Sequence, residues 1–116
     1  MLANHQEEKI ELNLENPIFV CYLDVKNLHS QRAHEMIHQA QRVFNMYSNI
    51  TVWVLGADRT EIKCVYQNSN KTSDDYVDRF ISNFDNFKDL IQKSPEEFKQ
   101  KVRDILISDL VDNENE

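Results

Sequence analysis

The chain has 116 residues, 41% hydrophobic and 28% charged, with one glycine, two prolines and a formal net charge of −7. That length suits one domain, and a lone Gly56 excludes P-loops and dinucleotide fingerprints, which need several glycines. From Thr72 onward twelve acids stand against six cations, and before it eight against seven, so the negative charge is C-terminal and no basic cluster suits DNA or RNA.

No apolar run is long enough to span a bilayer, and Met1 to Lys9 are polar and acidic, the opposite of a secretory signal. A cytosolic protein with no membrane role is the expectation. Cys21 and Cys64 lie inside apolar runs. Two such cysteines read as buried, reduced thiols and not as a disulfide framework. If their strands are neighbours, the two thiols approach each other and become visible to oxidants.

After a frayed start, Ile10, Leu12 and Leu14 alternate with Glu11, Asn13 and Glu15, the period of a half-buried strand. Asn16-Pro17 breaks it. Ile18 to Val25 is apolar on both faces and predicts a central strand covered on two sides or nearly so. Ser30 is the expected N-cap of a helix whose Ala33, Met36, Ile37, Ala40, Val43, Phe44 and Tyr47 form one stripe. Ser48-Asn49 ends that helix. Ile50 to Leu55 predicts a second central strand, and the loop from Gly56 to Arg59 leads to Thr60–Tyr66. Glu61 and Lys63 alternate there with Ile62, Cys64 and Tyr66, which predicts an edge strand, hairpin-paired with the one before.

Gln67 to Thr72 is a polar linker. Ser73 then caps an expected helix with Tyr76, Val77, Phe80, Ile81, Phe84, Phe87 and Ile91 on one face, and Asn83-Asp85-Asn86 is a point where it can divide. Ser94-Pro95-Glu96-Glu97 is a capping box with proline at the first helical position. Phe98, Val102, Ile105, Leu106 and Val111 recur beyond it, and the tail is solvated. The expected fold is α+β, a small mixed sheet of ββαββ order with one right-handed crossover helix and two or three C-terminal helices. Residues 8–67 would form the sheet and crossover helix, and residues 73–112 the helical part of the same domain.

One string resembles a catalytic motif. His34-Glu35-Met36-Ile37-His38 matches the H-E-x-x-H pattern of zincin metalloproteases, in which two histidines hold zinc and the glutamate serves as general base. On a helix of 3.6 residues per turn, His34 and His38 lie roughly 120–160° from the apolar stripe, on the water side. No downstream third ligand is apparent, because His5 and His29 both precede the string. Asp24 ends the central strand, where α/β proteins often place working carboxylates, with Lys26-Asn27 after it and Asp58-Arg59 in the next loop. A strand-end aspartate more commonly caps a turn. Neither cysteine has an activating context, since apolar surroundings raise a thiol pKa. Trp53 and the phenylalanines of the helices are expected in the core.

The segment Asn16 to Val25, followed by Leu28 and Ser30-Gln31-Arg32-Ala33, resembles the opening of small uncharacterised proteins encoded by tailed bacteriophages. Ile50 to Leu55 and Thr60 to Tyr66 continue the resemblance, which spans residues 16–67. It implies a virus-encoded accessory protein of the bacterial cytoplasm, and supplies no catalytic residues. Two functions follow. One is a non-enzymatic acidic interaction module that binds a protein, itself included, as a homo-oligomer. The other is a small zinc-dependent hydrolase using His34, Glu35 and His38.

Overall fold

The computed structural model describes residues 14–114, with side chains described as far as residue 109. The elements run β1 (Ile18–Asp24), α1 (Ser30–Phe44), β2 (Thr51–Ala57), β3 (Glu61–Tyr66), α2 (Asp74–Phe87), α3 (Leu90–Lys93) and α4 (Pro95–Glu114). This is the expected α+β class. The strand predicted over Ile10–Leu14 lies, but for Leu14, outside the described residues.

The described sheet has three strands in the order β2-β1-β3. β1 runs parallel to β2 and antiparallel to β3. That overturns the hairpin: β2 and β3 are consecutive in sequence, yet β1 lies between them. Among the described strands β2 is therefore an edge and not a second central strand, while β3 is the edge that was expected. A tight two-residue hairpin favours residues with positive φ, and the described chain has none, at glycine or elsewhere. The connection through Asp58 and Arg59 instead carries the chain across the end of β1.

The coverage of β1 also differs from expectation. Its burial alternates, with Phe19, Cys21 and Leu23 buried and Ile18, Val20, Tyr22 and Asp24 only half-buried. Val52 and Val54 of β2 and Ile62 of β3 join the buried side. The core cluster continues into Met36, Ala40, Val43 and Phe44 of α1, the Val77–Phe87 face of α2, and Phe98 and Val102 of α4. The core is thus built on one side of the sheet.

Local signals explain the helices with small shifts. Ser30 does not cap α1: His29 holds the N-cap position with no side-chain hydrogen bond, and Ser30 is the first helical residue. The helix stops at Phe44 with Asn45 as C-cap, before Ser48-Asn49. Ser73 caps α2 as predicted, its side chain accepting from the Tyr76 N–H at 3.2 Å. α2 passes unbroken through Asn83-Asp85-Asn86 and ends at Phe87, and Pro95 opens α4.

Two contacts seat α1 on β2. Gly56 lies where the helix comes close, and an added Cβ would stand 3.1 Å from Val25 Cγ2 and 3.3 Å from Ile37 Cδ1. Nearby, the Gln41 side-chain amide donates to Val52 O at 2.7 Å, and its oxygen accepts from the Val54 N–H at 2.9 Å. In β2 it is Thr51 and Ala57 that bond back toward β1, so by alternation Val52 and Val54 aim their backbone groups at the free edge. Gln41 occupies that edge as one residue of a further strand would. Replacing Gln41 with Ala strands both groups, and is expected to cost about 1–3 kcal/mol, read as a lower urea midpoint with unchanged m-value.

Candidate functional site

The side of the sheet away from the helices carries the more unusual chemistry. Val20 lies in register between Trp53 on β2 and Lys63 on β3, and Tyr22 between Leu55 and Glu61. Side chains alternate along a strand, so these six share one face. Trp53 is 40% exposed, Leu55 46% and Val65 57%. A register shift beside Ile18 and Phe19 pairs Ile18 with Tyr66 and Phe19 with Cys64, leaving Val65 as the extra residue of a bulge. A sheet with one solvated face normally turns polar residues outward. Here Val20, Trp53, Leu55 and Val65 face outward instead.

The β3 margin of this face is charged. The Arg59 guanidinium lies 5.2 Å from the centroid of the Tyr22 ring and donates from Nε to Glu61 Oε1 at 3.1 Å. Its hydrogen bond to Glu61, helped by that charge and by Asp58, raises the Arg59 pKa above its usual value. Lys63 Nζ approaches the second Glu61 oxygen at 3.9 Å. The face therefore combines an apolar field on β1 and β2 with a border bearing both signs of charge. Such a surface can exclude water against a matching apolar patch while the border fixes orientation. Trp53 is the residue that sequence reasoning misplaced. The signal was present: β1 and β2 are both apolar on two faces, whereas every helix uses its stripe on the same core.

The zincin-like string sits on the exposed side of α1. His34, Glu35 and His38 are all exposed, and the two imidazole centroids are 6.2 Å apart. Glu35 pairs with Arg32 at 3.7 Å. Among the described residues no group of three His, Cys, Asp or Glu side chains is placed to share a metal. Catalytic zinc needs three protein ligands, so this pair does not complete a set from the described residues of one chain.

Asp24 is engaged in its turn. Its Oδ1 accepts from the Lys26 N–H at 3.1 Å, its Oδ2 lies 3.7 Å from Lys26 Nζ, and its carbonyl accepts from Gln92 Nε2 at 2.6 Å. The cavity beside it, about 180 Å³, is also lined by Lys88 and Lys93, which suits a divalent cation poorly. Asp58 bonds to its neighbour, Oδ1 accepting from Arg59 at 3.2 Å.

Cys21 and Cys64 do lie on neighbouring strands, and both are free thiols. Burial pushes the Cys21 thiol up to about 12. Desolvation also raises Cys64, partly offset by the Tyr66 carbonyl. Because only the thiolate attacks, a raised pKa means slow chemistry near neutrality. With iodoacetamide at pH 8, Cys21 should stay unlabelled in folded protein and react on unfolding in urea, as mass spectrometry of the digested chain would read.

No helix of the described residues is long and apolar enough to cross a membrane. Comparison with protein-family models, with curated proteins and with solved structures finds no match to this chain.

Proposed function

We propose that this chain is a non-enzymatic protein-interaction module that docks through the open face of its sheet, with a second copy of itself as the first partner. The observation that carries the reading is the run of outward apolar side chains across β1 and β2, with Trp53 and Leu55 exposed at its margin. Aromatic side chains dominate interface energetics because they bury much area at little entropic cost. The mixed charge at the β3 border lets one patch complement itself, Glu61 of one copy meeting Lys63 or Arg59 of the other about a two-fold axis. Neither nucleic acid nor membrane is invoked. Together with the resemblance of residues 16–67, the reading extends to an accessory protein of a tailed bacteriophage, working in the cytoplasm of its host and binding a host protein where it does not bind itself.

Sedimentation velocity on untagged protein tests this. The wild type should sediment as a dimer at raised concentration, and Trp53→Ser should weaken the dimer by about 2 kcal/mol or more without changing the circular dichroism. A wild type that stays monomeric at every concentration, or a dimer indifferent to Trp53→Ser, refutes self-association through this face.

The second reading is the zinc-dependent hydrolase, favoured by the juxtaposition of His34 and His38 on one helical face. It needs a third ligand from side chains outside the described ones, which include His5 near one end and Asp112 near the other, or from a second copy. Native mass spectrometry before and after chelation decides it. One zinc per chain, lost in His34→Ala, supports the hydrolase, and metal-free protein from unchelated preparations retires it.

A further inference from the structure

The molecule carries a second distinctive surface, remote in sequence from the open sheet face. α1, α3 and the first half of α4 flank a half-open cavity of about 470 Å³. Pockets that hold small ligands run from about 300 to 1,000 Å³. The core residues Val43, Ile91 and Phe98 form its floor, each under a tenth exposed, and the half-buried Met46 adds a flexible wall. Arg42 stands on the α1 side, Lys99 and Arg103 on the α4 side.

In a chain of net charge −7, three cations about one cavity require a reason. Lys26, Arg32, Lys63, Lys71 and Lys88 stand in ion pairs, Arg59 both in ion pairs and over Tyr22, and Arg79 over Tyr76, while Lys93 and Lys101 pair with no described carboxylate but stand singly on the surface. Arg42, Lys99 and Arg103 pair with no carboxylate among the described residues. Arg42 has a partial structural explanation, because a cation in the last turn of α1 complements the carbonyl end of the helix. Lys99 and Arg103 are four residues apart on one face of α4, where like charges repel. Glu96 is the only acid lining the cavity, so its described walls carry two more positive charges than negative. That balance suits a head group of one negative charge.

We propose that this cavity binds an amphiphilic carboxylate, a fatty-acid-like monoanion whose head lies among Arg42, Lys99 and Arg103 and whose chain lies against Val43, Met46 and Phe98. A guanidinium offers two parallel N–H donors that match a carboxylate, and Lys99 adds a point charge. The site lies among α1, α3 and α4, on the helical side of the molecule and apart from the open sheet face.

Isothermal titration calorimetry with sodium decanoate tests the proposal, with decylamine, sharing the chain but cationic, and acetate, sharing only the head, as comparisons. The expected result is one decanoate per chain, bound at least about tenfold more tightly than either comparison, since a charge-assisted hydrogen bond contributes roughly that factor. Affinity should fall as salt is raised. Arg103→Glu, an exposed change, should weaken decanoate binding by about tenfold or more, and Lys99→Glu should do the same. Trp53→Ser should leave it unchanged. No decanoate binding to wild type, equal binding of decylamine, or loss of binding in Trp53→Ser but not in Arg103→Glu would each overturn it.

Discussion

All six phenylalanines of the chain form one connected set of rings, and the rest of the structure hangs from it. Phe19 of β1 meets Phe80 of α2 at 4.4 Å between centroids, which ties the sheet to the C-terminal helices. Phe44, at the end of α1, reaches Phe80, Phe84 and Phe98, at 6.4, 6.3 and 5.5 Å. Phe87 closes the circuit with Phe84 and Phe98. Each such pair contributes about 0.5–1.5 kcal/mol beyond the area it buries. The geometric effect matters as much as the energy. Gathering the apolar stripes of α1, α2 and α4 at one point on one side of the sheet leaves no stripe on those helices for the other side. The exposure of Trp53 and Leu55 is the complement of that choice.

Much of this was readable in the sequence, and the failures have physical causes. β1 was marked by its unbroken apolar run, α1 by its stripe, and α2 and α4 by Ser73 and Ser94-Pro95 at their starts. These are local signals, set by spacing and capping. The pairing of β2 with β3 was not local. Proximity in sequence argued for a hairpin with a medium-length loop, but that loop crosses the end of β1 and β3 adds to its vacant side. The two-sided burial of β1 failed for a related reason. Apolar residues on both faces of a strand announce that both want cover, not that the same chain supplies it.

The chemistry follows the same division. The spacing of His34 and His38 correctly places them on the water side of α1, and a motif match says nothing of the third ligand. The turn role of Asp24 is legible from its position before Lys26-Asn27. The cavity between α1 and α4 was invisible, because Arg42 and Arg103 are separated by sixty residues of sequence and are brought together only when Phe44 packs against Phe98. A net charge of −7 describes the molecule at a distance. It hides the local excess of cations that tertiary packing assembles.

Gln41 has a consequence for how copies of this chain can add to one another. A sheet whose two edges are both free is a monomer of a polymer, because each addition exposes a new edge. Here the Gln41 amide meets the outer edge of β2 with a donor and an acceptor, at Val52 and Val54. Among the described strands β3 is the freer edge for a neighbour. Two copies joined along β3 would form a sheet of six described strands, with a Gln41 amide on Val52 and Val54 at each extremity. A single glutamine thus occupies one residue's length of the edge along which a further strand would add, and makes that edge a poorer template than β3.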